Sequence, residues 1–313
     1  MDLQSYYSFH AINRLVSNID LRPGANHCFY RNPERGWAPV PWDLDMQLIP
    51  CTHQAGHIDQ TRVLEVKELR TEFRNRAREI LDLFASDPRP EGGQIGQLVA
   101  EYARHIEPRV AGKPLGSWAD LDRARWNYAP ATSDKGAFFR NPASAGMQGG
   151  SFTRTLATPD FAGLAKYIVE FCTDTRPVKK YAINDHNPLG YGWGYLSIEA
   201  TDKDIPARPA IRYVGPAGFP SGALGFSSSE YSGKAAFAAM QWRVGEIGAP
   251  KDKPWRYELD AMWQSPESPT FVPQIHIPQG TCKPGRTYRV RARHKDNAGK
   301  WSHWSESVEF IAK

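Results

Sequence analysis

Two aspartates, Asp43 and Asp45, stand two positions apart in the apolar run VPWDLDMQL, residues 40–48. In an extended segment residues i and i+2 point to the same side. The pair would then concentrate negative charge, which favours a nearby cation. Upstream lie Asp20 and, six residues later, Asn26. This order has a chemical logic. Phosphoryl transfer on a kinase-type scaffold uses an aspartate at the acceptor hydroxyl and an asparagine shortly downstream for metal. A second aspartate, entering from a strand, holds metal against the phosphates. In the protein-kinase signature the asparagine follows the aspartate by about five residues, so a spacing of six implies a different loop. Carboxylates with waters and phosphate oxygens suit a hard octahedral cation, Mg²⁺ or Mn²⁺, bound with ATP. Arg31 and Arg35 flank the acidic stretch and are candidates to contact phosphate or to pair with neighbouring acids. A plainer role is also open: Asn18 and Asp20 are helix-end and turn formers, and a DxD pair serves in solvated loops.

The elements that would position these residues are helical and loop-rich. The opening residues, MDLQSYYSFHAINRLVSNID, read as an amphipathic helix ending just before Asp20. They have no basic n-region, apolar h-region or small-residue cleavage site, so they are not a signal peptide. The clearest helix spans TRVLEVKELRTEFRNRAREILDLFA, residues 61–85. Leu64, Leu69, Phe73, Ala77, Ile80 and Phe84 recur there at helical steps between charges. SDPRP then ends it, because proline cannot continue the ladder. GQIGQLVAEYARHIEPRV predicts a second helix and TPDFAGLAKYIVEFC a third, the latter with Thr158 as cap and Pro159 in its first turn.

Beyond about residue 200 the pattern changes to short alternating segments bounded by turn residues: AAMQWRVGEI, WRYELDAMW, PQIHIP, TYRVRARHK and ESVEFIA. Together they predict a β-sandwich of roughly 100 residues. The chain thus divides into residues 1–200, mainly helical with long loops, and residues 205–313, with the break near 200–206. Within the second part Tyr288, Val290 and Ala292 alternate with Arg289, Arg291 and Arg293, DNAG makes a turn, and WSHWS (301–305) returns. This pattern resembles a fibronectin type III domain, with the tryptophan–serine motif of cytokine-receptor modules. Trp242 is expected in the core of a central strand. Arg289, Arg291 and Arg293 are expected to interleave with Trp301 and Trp304 on the outer face, since planar guanidinium groups stack well on indoles.

SFHAINRLVSNID, then FYRNP (29–33), then WAPVPWDLD (37–45) resemble the C-terminal part of the spore-coat CotH kinase family, atypical protein kinases. The likeness covers residues 5–84 best and fades toward 200. It implies a kinase C-lobe-like fold, a catalytic aspartate at Asp20 and a metal-binding aspartate at Asp43, with Asp45 and Asn26 as helpers. It also implies a secreted or cell-envelope setting, with a protein or glycan partner. Only 19 residues precede Asp20 here, too few for the lobe that covers the phosphates in that family. The sequence is therefore expected to be the C-terminal piece of a larger kinase, inactive by itself. The alternative is a non-enzymatic extracellular segment whose kinase-like half is only scaffold.

Other chemistries find less support. Cys51, His53 and His57, with His27 and Cys28 upstream, offer zinc ligands, but without a second CxxC. The glycine-rich SAGMQGGSF (144–152) has no lysine at a P-loop position and reads as a loop. There is no GxSxG, HExxH or Walker A sequence. A formal charge of +5 without a Lys/Arg block argues against nucleic acid, and no apolar run is long enough to predict a membrane span.

Overall fold

Helix α1 (Leu3–Leu15) starts where the Asp2 carboxylate accepts from the Ser5 amide at 3.0 Å and the Ser5 hydroxyl at 2.9 Å, a side-chain N-cap. It buries Tyr6, Tyr7, His10, Ala11 and Leu15. The computed structural model describes residues 1–18, 21, 26–44, 47–48, 62–89, 93–107, 109–110, 113–114, 117–118, 161–173, 196–197, 200–248 and 255–313. Packing divides the chain into two compact units, Met1–Arg62 with Asp87–Ile198, and Val63–Ser86 with Glu199–Lys313.

The first unit combines α1 with a hairpin of β1 (Cys28–Asn32) and β2 (Gly36–Val40), paired Arg31 to Trp37 and Phe29 to Pro39. Its turn is held by Asn32, whose Oδ1 accepts from the Glu34 and Arg35 amides at 2.8 and 3.0 Å, the Asx geometry that lets asparagine close a turn. Helix α3 (Gln94–Ile106), the short pair β3 (Arg109–Val110) and β4 (Lys113–Pro114), and helix α4 (Phe161–Thr173) complete it. Both helices fall where the periodicity predicts them. Thr158, Pro159 and residues 144–152 lie outside the described residues.

The second unit is a β-sandwich joined by one helix. One sheet has the order β11 (Val308–Ile311), β10 (Thr287–Asp296), β7 (Phe237–Ile247), β8 (Ala261–Gln264). The other has β5 (Ile211–Tyr213), β6 (Gly225–Ser228), β9 (Gln274–His276). Every pairing is antiparallel. Val290 lies opposite Val244 and Ala292 opposite Trp242. They share a core with Leu224, Phe226 and Phe310 from both sheets, and Trp242 is buried as expected. The sequence pattern had not singled out β5 or β6, whose three and four residues are too short for a clear alternation.

Residues 63–86 pack with the sandwich. This segment is a short 3₁₀ turn (Arg62–Glu65), helix α2 (Lys67–Ile80) and a π-helical turn (Leu81–Ala85). It buries Phe73, Ala77 and Ile80, and its polar residues Asn75, Arg78, Glu79 and Asp82 recur at i, i+3, i+4 and i+7. Asn75 donates to the Gly299 carbonyl at 2.9 Å and accepts from the Trp301 amide at 3.0 Å. The π turn, which inserts a residue and re-aims the side chains after it, contains Asp82, an acceptor for the Trp304 amide.

The arginines, expected on an open face, are covered: Arg289, Arg291 and Arg293 are 2, 5 and 9% exposed. Glu258 accounts for the first two. It pairs with Arg289 at 3.0 Å and with Arg291, and sits so close to β7 that a Cβ on Gly245 would lie 2.9 Å from the Glu258 carbonyl oxygen. Only Arg293 joins the tryptophans as expected, its guanidinium 4.2 Å from the Trp301 ring and 4.3 Å from the Trp304 ring. Among the described residues Arg243 also lies 5.5 Å from the Trp304 ring and Lys295 5.1 Å from the Trp301 ring. Among the described residues no helix is long and apolar enough to cross a membrane.

Candidate functional site

Of the four acidic-site candidates, Asn26 and Asp43 are described, while Asp20 and Asp45 lie outside the described residues. Cys51, His53 and His57, the central residues of the zinc alternative, also lie outside them. Among the described residues no group of three His, Cys, Asp or Glu side chains could hold a metal ion.

Asn26 and Asp43 share an uncommon backbone. Their φ values are +57° and +50°, in the left-handed region that asparagine and aspartate tolerate better than other side-chain-bearing residues. Asp43 is the third residue after β2 and is exposed. The hairpin therefore delivers a carboxylate to the surface at a bend. Asn26 is followed by His27, whose ring stacks on Phe9 at 6.2 Å with 2° between planes and meets Phe29 at 4.7 Å. Helix α1 and strand β1 thus grip the residue next to Asn26 from two sides. His27 also meets His10 edge to face at 5.4 Å. Burial holds His10 neutral, its pKa lowered to about 3, and lowers that of His27 as well.

The exit from α1 toward Asp20 is fixed by two asparagines. Asn13 donates to the Phe9 carbonyl at 2.8 Å, and its Oδ1 accepts from the Asn18 side chain at 2.8 Å. The Asn18 amide donates to the Asn13 carbonyl at 2.9 Å. Between them Ser17 turns through φ +48°. Both asparagines are buried, where each satisfied polar group resists displacement because an unsatisfied one is costly. The helix end is then tied to the chain beyond Asp43: the Leu48 amide donates to the Val16 carbonyl at 2.6 Å. The structure brings together the end of α1 and residue 48, the segments that flank the acidic candidates. Arg31 and Arg35 are both exposed on the hairpin. Cys28 is an exposed free thiol.

Sequence reasoning missed the Asn13–Asn18 pair, although its two members bracket the helix end just before Asp20. It also missed Leu48 and its contacts, for which the local pattern carries no signal.

No curated protein matches the chain. Among solved structures, "Myokine structure" is 14% identical and covers 34% of this chain and 99% of that chain, with a TM-score of 0.25. The human "Solution structure of the forth FNIII domain" is 18% identical, covers 36% of this chain and 80% of that chain, with a TM-score of 0.22. At these scores neither likeness defines the fold. Residues 1–132 match the family model described as CotH kinase protein.

Proposed function

We propose that residues 1–62 carry the acceptor- and metal-handling segments of a CotH-type phosphoryl-transfer site. In this reading Asp20 accepts the proton of the acceptor hydroxyl as that oxygen attacks the γ-phosphorus and ADP leaves. Asp43, helped by Asp45 and Asn26, offers hard oxygen donors to Mg²⁺ or Mn²⁺, which when bound would neutralise phosphate charge. One observation carries the proposal: the 2.6 Å hydrogen bond from Leu48 to Val16, which ties the helix end leading to Asp20 to the chain leaving Asp43 and Asp45. An exposed aspartate at a left-handed bend suits a carboxylate that must reach an incoming ion.

The β unit, in the same reading, is of fibronectin type III kind. Its three-plus-four strand arrangement supports this. So does Tyr288 at the start of β10, whose hydroxyl accepts from the Lys283 amide at 2.8 Å, a tyrosine corner. It serves as a spacing or protein- or glycan-docking module in a secreted or envelope setting.

The test is a Mn²⁺ titration of the 313-residue chain followed by water proton relaxation. Enhancement that weakens in both Asp43→Ala and Asp45→Ala supports the site. A titration the substitutions leave unchanged leaves Asp43 an ordinary solvated bend.

A further inference from the structure

Arg243 is a buried cation with no ion-pair partner among the described residues. It stands on β7 directly opposite Arg291 on β10, and like charges opposite one another destabilise a sheet. The two are 2 and 5% exposed. Arg291 pairs with Glu258 and donates to the Ser305 carbonyl at 2.7 Å. Arg243 meets only backbone: its Nη2 donates to the Glu258 and Leu259 carbonyls at 2.6 and 3.2 Å. Its Nε and Nη1 are buried and meet no acceptor. The same holds for Nε1 of Trp304, whose ring lies 5.5 Å from that guanidinium. All three are obligate donors, since neither guanidinium nor indole N–H can accept. Buried donors in native proteins are almost always matched. Three on one face point to an acceptor that the chain itself does not supply.

The charge balance of this layer points the same way. Arg76, Arg243 and Arg293 all act on one carboxylate, Glu79. Glu79 is bound by Arg76 at 2.8 Å and lies 4.0 Å from Arg293, so it does not reach the Arg243 donors. Glu258 is already shared between Arg289 and Arg291. Burial lowers the pKa of Arg243 and brings that of Arg293 down to about 10, as expected of cations short of counter-charge. We propose that this layer binds one small monovalent anion of the chloride class, held by Arg243 Nε and Nη1 with Trp304 Nε1, and that the anion fastens α2 to the sandwich. The ligand is small because α2 covers the face. It is an anion because water would meet the donors without offsetting the buried charge. Arg76 and Glu79 keep 24 and 18% of their side chains in solvent, which gives the ion its entry at the edge of α2.

The experiment unfolds the whole chain in urea at constant ionic strength, exchanging bulky sodium gluconate for sodium chloride and following tryptophan fluorescence. Release of one ion on unfolding lowers the unfolding constant roughly tenfold for each tenfold rise in chloride above its Kd. Arg243→Met should lose this dependence. Arg212→Met, on β5 of the other sheet, should keep it. A chloride-independent midpoint in the unmodified chain would mean that water alone meets the donors, and it overturns the proposal. So does a dependence that survives Arg243→Met, because the ion would then sit elsewhere. If Arg243→Met does not fold, the chloride NMR resonance decides: the folded unmodified chain should broaden it more than the urea-unfolded chain does, and equal linewidths overturn the anion site.

Discussion

The carboxylate of Asp82 on the π turn accepts from the backbone amide of Trp304 at 2.8 Å, while its other oxygen lies 2.9 Å from Nδ1 of His303. Two turns earlier, Asn75 receives the amide of Trp301 at 3.0 Å. The spacing matches. Seven helical residues advance about 10.5 Å, and three residues of extended chain advance about 9–10 Å. The amides of Ser302 and Ser305 face the opposite way, donating to the His294 and Ala292 carbonyls at 2.8 Å each. Their hydroxyls accept from the His294 and Ala292 amides at 3.1 Å each. A period of three, which a polyproline-like ribbon has and a flat strand lacks, lets WSHWS bond a strand on one side and a helix on the other.

Asp82→Ala is therefore expected to destabilise the second unit by about 1–3 kcal/mol, because it leaves the buried Trp304 amide without its acceptor. Urea unfolding followed by tryptophan fluorescence measures it. An unchanged midpoint would mean that the Asp82–Trp304 hydrogen bond contributes no net stability.

Glu258 is the sole carboxylate that Arg291 pairs with among the described ion pairs, and it also serves Arg289. Glu258→Gln should cost about 3–5 kcal/mol, the penalty for breaking a buried pair from one side. Gly245→Ala should move in the same direction, since its new methyl would meet the Glu258 backbone. Circular dichroism melts of the two variants should both shift down. A neutral Gly245→Ala would show that Glu258 can retreat without loss.

Arg293 lies between two indoles, whereas Arg291 is held by Glu258 and the Ser305 carbonyl. A double-mutant cycle between Arg293→Met and Trp304→Leu should show coupling of about 1–2 kcal/mol. Additive effects in chemical unfolding would remove the cation–π reading for this pair.

His294 is enclosed by Tyr231, Phe237 and Phe271, and burial lowers its pKa from 6.5 to about 4. Below pH 6.5 the unfolded chain gains a proton there that the folded chain refuses. Stability is complete above that pH and falls as pH drops toward 4, by at most about 1.4 kcal/mol per pH unit. In His294→Gln the stability profile between pH 6.5 and 4 should be shallower than in the parent. Parallel profiles would place the acid sensitivity elsewhere.

The helices and most strands were legible because their periods are local. Phe73, Ala77 and Ile80 announce a helix face, and Val290 and Ala292 announce a strand face, from a dozen neighbouring residues. What covers the far side of β10 was not legible. Arg289, Arg291 and Arg293 look like a solvated face until Glu258 and the stripe Asn75, Glu79 and Asp82 are placed on it, some 30 and 200 residues away in sequence. At the candidate site the residue types were readable, but Tyr167 and Leu48, joined across 119 positions, left no trace in the pattern around either.

A β-sandwich can be copied between genes as a unit only where one uninterrupted stretch encodes all of its packing. The sandwich described here draws one of its walls from residues 63–86, while its strands begin after residue 200. A recombination event that copied only the later stretch would deliver a module with its two tryptophan amides bare and an arginine–indole surface open to water. Such a surface is adhesive. Residues 63–86 must therefore accompany residues 199–313 for that surface to stay covered.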